Sequence, residues 1–196
     1  MDAEAIRAKW DRIYAGQLES EPEPAAVLAE NAHLLPTAGH ALDLACGQGG
    51  NALFLARRGF TVTAWDISPV AINGLASRAS RLGLKISAQV RDVEAEPFPV
   101  AMFNVAVVSR FLARPLARPI QDSLNPGGLL FYQTYSREKL SPQGPNNPDY
   151  LLAENELLAM FQGMRLLIYR EEGKTGDLSL GKRDEAYFVG RKHDFT

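Results

Sequence analysis

The chain is 196 residues long, 46% hydrophobic and 22% charged, with a formal net charge of −2. That length suits one domain with a real core. So small a charge, with no basic run carrying aromatics, argues against a nucleic-acid partner.

Cys46 is the single cysteine, so no internal disulfide forms; His33, His40 and His193 are scattered and assemble no metal cluster. The opening MDAEAIRAKWDRIYAG mixes acids and bases with apolar residues and has no apolar core of signal-peptide length. No later run approaches the roughly 20 apolar residues of a membrane span. A soluble, cytoplasmic protein with no membrane partner is the expectation.

Ile6, Trp10 and Ile13 at helical spacing predict an amphipathic helix over Ala3 to Ala15, broken by GQLESEPEP (Gly16 to Pro24). A second helix is predicted from about Ala25 to Leu35, stopping at Pro36. From there strands and helices alternate. Ala41 to Ala45 reads as the first strand, CGQGG as a turn, and Asn51 to Arg58 as a short helix closed by Gly59. Thr61 to Trp65 is a second strand ending at Asp66. Ser68-Pro69 opens a helix with a capping hydroxyl and a proline at its first position; it runs to about Leu82 and closes at Gly83. Lys85 to Val90 is a third strand ending near Asp92, and Phe103 to Val108 a fourth.

Pro115 to Leu124 reads as a helix whose start Pro119 bends or delays. NPGG (Asn125 to Gly128) turns into a fifth strand, Leu129 to Tyr135. Ser136 to Tyr150 is loop by composition, and Glu154 to Phe161 is helical. Arg165 to Arg170 and Ala186 to Val189 are two more strands across a glycine- and charge-rich link.

Alternating strands and helices imply parallel pairing with crossover helices on both faces. The last two strands have no helix between them and imply an antiparallel hairpin. The expected fold class is α/β: a doubly wound Rossmann-like sheet of about seven strands, mostly parallel with an antiparallel C-terminal hairpin strand. Residues 1–196 form a single domain in this reading. It has a helical cap over 1–36, a ligand-binding core over 41–135, and a lid loop, helix and hairpin over 136–196.

In such sheets ligands bind at the carboxyl ends of the strands, where strand order reverses. Gly47 and Gly49 let the backbone approach a ligand there, and the helix from near Gly50 presents free N–H groups. Gly47-x-Gly49-x-x-Ala52, with an acid ending the second strand, satisfies the dinucleotide fingerprint. An NAD(P)-dependent oxidoreductase is therefore one reading. Against it stands Asp43, a first-strand carboxylate that suits a cationic amine better than a pyrophosphate. The short chain also leaves little room for a separate substrate domain.

DLACGQGGN (Asp43 to Asn51) resembles the first motif of the class I S-adenosylmethionine-dependent methyltransferases. The spacing to Trp65-Asp66 and to Arg91-Asp92-Val93 fits that family. VTAWD (Val62 to Asp66) and AENELLAMF (Ala153 to Phe161) resemble the tellurite-resistance methyltransferase group and its bacterial relatives. The resemblance runs from about Trp10 onward. Ala45 stands where the family has glycine, and its small size is expected to cost nothing.

The resemblance implies S-adenosylmethionine as cofactor and S-adenosylhomocysteine as product. It implies Asp43 for the methionine amine, Gly47 and Gly49 beneath the methionine and ribose, and Asp66 for both ribose hydroxyls. Ile67 would pack on the adenine face, Asp92 would accept from the adenine amino group, and Val93 would lie beside it. Ala45, Asn51 and Ser109 complete the expected cofactor set. Each has a plainer alternative: a tight turn for the glycines, a helix-capping acid for Asp66, a common strand-end acid for Asp92. Cys46 reads as a buried filler.

Methyl transfer by in-line displacement needs a docked nucleophile and exclusion of water, with general acid–base groups optional. After the fourth strand, relatives that methylate amino nitrogen of DNA, RNA or glutamine carry an Asn/Asp-Pro-Pro-aromatic turn. Val107 to Leu112 has none, and NNPDY (Asn146 to Tyr150) imitates it only in a later loop. Ser109 and Arg110 thus become the substrate-side residues, and Arg110, Tyr14 and Tyr135 the catalytic candidates. Arg110 has the alternative of simply pairing with an acid. Trp10 and Tyr14 share one helical face, as core or as cover, and residues Ser141 to Asp149 form a second lid candidate.

Ser179 stands where the tellurite group carries histidine; Lys182 and Arg183 either meet an anion or sit on a solvated hairpin tip. The expected function is methyl transfer to a small-molecule nucleophile, a thiol or a chalcogen oxyanion such as tellurite or selenite, without a metal. The alternatives are the oxidoreductase and a non-catalytic cofactor-binding module. A monomer or homodimer is expected.

Overall fold

The computed structural model describes residues 3–16 and 22–194. Seven strands form one sheet: β1 (His40–Leu44), β2 (Thr61–Asp66), β3 (Ile86–Val90), β4 (Phe103–Ser109), β5 (Leu124–Tyr135), β6 (Met164–Arg170) and β7 (Glu185–Lys192). Their order is β3-β2-β1-β4-β5-β7-β6. β1 to β5 pair in parallel, and β7 runs antiparallel between β5 and β6. The order reverses between β1 and β4, which makes their carboxyl ends the crevice where such sheets hold ligands. The expected fold class, including the C-terminal hairpin, is the one observed.

Among the described residues six α-helices accompany the sheet: α1 (Ala3–Ala15), α2 (Ala26–Glu30), α3 (Gly50–Ala56), α4 (Pro69–Leu82), α5 (Ala117–Ser123) and α6 (Glu156–Met160). Central strands read as near-continuous apolar runs because both faces are covered. On one face Val105, Val107 and Phe131 pack beneath Val27, Leu53 and Ile72 from α2, α3 and α4. On the other, Trp65, Phe103 and Tyr132 meet Ile120 of α5, Leu157 of α6 and Phe161. Phe161 sits between Tyr132 and Phe188, with ring centroids 5.6 and 5.4 Å away.

α4 has the boundaries its punctuation predicts. Ser68 accepts from the Ala71 amide at 3.2 Å, Pro69 opens the helix, and Gly83 closes it in the left-handed conformation. Other boundaries differ for local reasons. α2 ends early because Asn31 leaves helical geometry and its side-chain amide donates back to the Val27 carbonyl at 2.9 Å; a 3-10 turn over Ala32–Leu34 follows. β5 begins at Leu124 because NPGG lies inside the strand as an irregularity, with the β4 register shifting between Phe103 and Val105. Pro119 falls in the first turn of α5, where its missing N–H has no helical partner to lose. α6 starts at Glu156 because Asn155 takes φ 59°. The break expected at Gly16 to Pro24 lies largely outside the described residues.

Candidate active site

β1 delivers Asp43, and β2 delivers Asp66, to the same face of the sheet, since Asp43 pairs with Ala64 and Asp66 lies two residues on. Between them runs the turn Ala45–Gly49. Both acids are buried, Asp43 completely. Asp43 accepts from the Ala52 amide at 2.9 Å and from the Asn51 side chain at 3.2 Å, at the start of α3. Asp66 accepts from the Gly47 amide at 2.8 Å and the Ser68 amide at 2.9 Å. One carboxylate therefore braces the helix after the turn, and the other braces the turn itself.

Burial pushes Asp43 up to about 7, although its bonds to Asn51 and Ala52 pull the other way. Asp66 is raised as well, by burial and by Asp11, against the Ser68 and Gly47 amides. Two acids with raised affinity for protons, at one crevice, form a site ready for a cation or for hydroxyl donors.

Each glycine of the turn has its own neighbour. A Cβ on Gly47 would meet the Tyr14 hydroxyl at 2.9 Å, one on Gly49 the buried Leu75 side chain at 2.4 Å, and one on Gly50 the Glu23 carbonyl oxygen at 2.1 Å. Gly49 is thus demanded by the packing of α4 against the turn. Ala45 adopts φ 52°. The expectation that alanine costs nothing there overlooked the backbone, where a left-handed alanine costs about 1–2 kcal/mol. In the same turn the Gln48 side-chain nitrogen is buried and has no hydrogen-bond partner among the described residues.

α1 lies across this crevice. Tyr14 stacks on Trp10 with centroids 5.6 Å apart, and burial beside Asp66, Cys46 and Asp43 raises its hydroxyl pKa. Asp11 hydrogen-bonds the Ser68 hydroxyl and the Val70 amide, at the start of α4. No described residue of α1 is fully buried, so Trp10 and Tyr14 form a cover rather than core.

Asn51 is a hub. Its amide nitrogen donates to Asp43 and to the Ser109 hydroxyl at 3.1 Å, and its oxygen accepts from the Ala25 amide at 2.8 Å. Its hydrogen-bonding capacity is thus largely committed within the protein. Ile67 is partly exposed beside Asp66. Asp92 accepts from the Glu94 amide at 3.1 Å in a tight turn, and Val93 packs into the core around Trp65. These two lie at the β3 end of the crevice, away from Ser109. Cys46 is buried and its thiol pKa raised by that burial, which makes it inert.

At the far side, Ser109, Gln133, Tyr135, Glu185 and Tyr187 share the sheet face of Asp43 through consecutive registers. Arg110 follows Ser109 with φ 54°, and its Nε lies 3.2 Å from Glu185. Gln133 donates to the other Glu185 oxygen and accepts from the Val27 amide at 2.8 Å. Gln133, Glu185, Asp11 and Gln48 escape a reading of the sequence. Gln133 alone leaves a trace, as an amide within the apolar LLFYQTY. Lys182 and Arg183, for which an anion contact and a solvated hairpin tip were the alternatives, both have partners within the protein. Arg183 is folded inward, donating to the carbonyls of Leu180, Thr175 and Asp177, and Lys182 pairs with Glu30 at 3.0 Å. Ser179 is exposed and bonds Asp177. NNPDY forms a 3-10 turn with Asn147 capping it. Among the described residues no cluster of metal-ligating side chains occurs and no helix is long and apolar enough to cross a membrane.

Residues 41–128 match the family model described as a methyltransferase domain. The sheet and its crevice define the doubly wound, Rossmann-like class, and the match supports the resemblance to the class I S-adenosylmethionine-dependent methyltransferases. The chain is similar to TehB. A probable S-adenosyl-L-methionine-dependent methyltransferase TehB of Haemophilus influenzae is 29% identical over 137 residues, 66% of this chain and 47% of the relative. The chain thus spans about half the length of that relative. The crystal structure of TehB from Haemophilus influenzae superposes with a TM-score of 0.70 at 22% identity, over 93% of this chain and 67% of that one. A TehB-like methyltransferase from Corynebacterium glutamicum gives a TM-score of 0.65 at 17% identity, over 97% of both chains.

Proposed function

We propose that the chain transfers a methyl group from S-adenosylmethionine to a small-molecule nucleophile by in-line displacement. The observation that carries this reading is the pair of buried acids, Asp43 and Asp66, bracketing the turn at the switch point. A cationic amine offsets the desolvation of Asp43, and ribose hydroxyls are donors for Asp66. The unpartnered Gln48 nitrogen supplies a donor for the carboxylate of the same amino-acid moiety. Ile67, Asp92 and Val93 would then line the adenine side. The methyltransferase-domain match and the TehB likeness support the same cofactor.

The cofactor supplies the activated methyl group; what the chain supplies is position and dryness. Asp43 and Asp66 fix the two ends of the cleft. Tyr14 over Gly47 and the Glu23 backbone over Gly50 exclude water from between them, so α1 and α2 act as the cap. Ser109 and Arg110, at the end of β4 beside β1, and Tyr135, on the adjoining β5, stand on the transfer side. A thiol or a chalcogen oxyanion is the acceptor class that the resemblance to the tellurite-resistance group implies.

Calorimetry with S-adenosylhomocysteine and NAD tests the reading: micromolar binding of the first is expected, and binding of NAD alone would overturn it in favour of an oxidoreductase. The same titration carries a pH signature. With its carboxyl held near 7 against an ordinary value of 3.8, Asp43 binds its proton more tightly in the folded chain. Stability therefore falls as pH rises from about 4 to about 7 and levels off above. An ammonium ligand draws that proton off, so affinity rises through the same range. Binding at pH 8 is expected to be about tenfold tighter than at pH 6, and Asp43→Asn should flatten the profile. A profile equally steep in the variant would reassign the proton to another group.

A further inference from the structure

We infer that the outer edge of the Arg110 guanidinium, at the carboxyl end of β4, binds a carboxylate carried by the methyl acceptor, with Glu185 as the positioning residue. The inference rests on the methyl-transfer reading above and extends it to the acceptor.

Three observations meet at this side chain. Arg110 is anchored on one side only: Nε faces Glu185 at 3.2 Å, while its two terminal nitrogens have no hydrogen-bond partner among the described residues. The pair is also asymmetric in burial, with side-chain exposures of 67% for Arg110 and 14% for Glu185. Glu185 is in turn held by the buried Gln133, whose oxygen is tied to the Val27 amide. The carboxylate therefore cannot swing to satisfy the terminal nitrogens without abandoning Gln133. What remains free is a planar edge with two parallel N–H donors, which matches a carboxylate in two hydrogen bonds.

The backbone adds to this. Arg110 sits at φ 54°, a left-handed conformation that is costly for a residue with a Cβ. Its amide still donates to the Gln133 carbonyl at 2.8 Å, so the strain is held in place by β5. Strained residues at the mouth of a site are where functional geometry is stored.

Defined neighbours flank Arg110. Tyr135 lies directly opposite Glu185 in the β5–β7 register. The loop after β5 folds onto the Tyr135 ring, where a Cβ on Gly144 would meet ring carbons at 2.7 Å. Asp184 holds that loop by accepting from the Leu140 and Ser141 amides. On the other flank Ser109 leads through Asn51 to Asp43. A carboxylate on Arg110 would thus tether an acceptor one step from the proposed amino-acid end of the cofactor, on the transfer side rather than the adenine side.

The test uses the full chain saturated with S-adenosylhomocysteine, titrated with sodium butyrate and, as neutral control, with butyramide. Binding is followed through the Arg110 Nε–H signal in nitrogen–proton correlation spectra. Saturable butyrate binding that shifts this signal is expected, with no saturation by butyramide or by sodium chloride at matched ionic strength. Arg110→Gln and Arg110→Lys should each weaken butyrate at least about tenfold, because lysine keeps the charge but not the fork. Glu185→Leu should weaken it too and broaden the Arg110 Nε–H signal, a change that loss of a merely structural contact elsewhere would not give. Equal binding of butyramide, no saturation by butyrate, or full butyrate affinity in Arg110→Lys would each overturn the inference. Failure of S-adenosylhomocysteine to bind the unmodified chain would instead remove the methyl-transfer reading beneath it.

Discussion

Asp66→Ala is expected to weaken S-adenosylhomocysteine binding by about 1.5–3 kcal/mol, the loss of charge-assisted hydrogen bonds to the ribose. The residue does two jobs, since it also accepts from the Gly47 and Ser68 amides at 2.8 and 2.9 Å. Part of the loss would come from a slackened turn. Asp66→Asn separates the two: it retains one acceptor oxygen and removes the charge, and its affinity should fall between those of wild type and alanine. Thermal unfolding of both variants, without ligand, measures the contribution of the turn alone. Unchanged affinity in Asp66→Ala would put the ribose somewhere other than at the end of β2.

Gly49→Ala is expected to destabilise the fold by about 2–4 kcal/mol, combining a left-handed backbone with overpacking. At φ 82° the new Cβ would lie 2.4 Å from a Leu75 methyl carbon, and Leu75 is fully buried. α4 has no slack to give, because Ser68 and Asp11 hold its start. Chemical denaturation measures the loss. Adding Leu75→Ala should recover the overpacking share and leave the backbone share, so the two substitutions should be strongly non-additive. Simple additivity would mean that the turn and the helix do not touch as described. The glycine pattern that resembles a ligand cradle thus has a second origin, in the close approach of α4 to the β1–α3 turn.

Much of the architecture was legible in the sequence because it is written locally. Ser68-Pro69 and Gly83 mark both ends of α4, β-branched and apolar runs mark the central strands, and the missing helix between the last two strands dictates their hairpin. The misjudged boundaries share a cause, which is that a side chain or partner strand decided what the local residues left open. Asn31 turns back on α2, Asn155 delays α6, and pairing with β4 draws NPGG into β5. For the site, Asp43 and Asp66 were legible because a carboxylate in or beside a buried strand is conspicuous. The network around Arg110 was not. Glu185 lies 75 residues away from Arg110 along the chain and Gln133 lies 106 from Val27, so only the folded sheet brings them together. Arg183 was equally hidden: its local sequence leaves an anion contact and a solvated tip open, and only the folded loop shows that its own carbonyls take up the guanidinium.

The position of β7 between β5 and β6 has a consequence for how the molecule is made. As a nascent chain lengthens, β6 emerges before the strand that is its neighbour, and it must wait unpaired until Glu185–Lys192 follows. The five parallel strands can assemble around the Gly47 turn in the meantime. Arg110 and Gln133, on strands already paired, therefore acquire Glu185 only after β1 to β5 have been made.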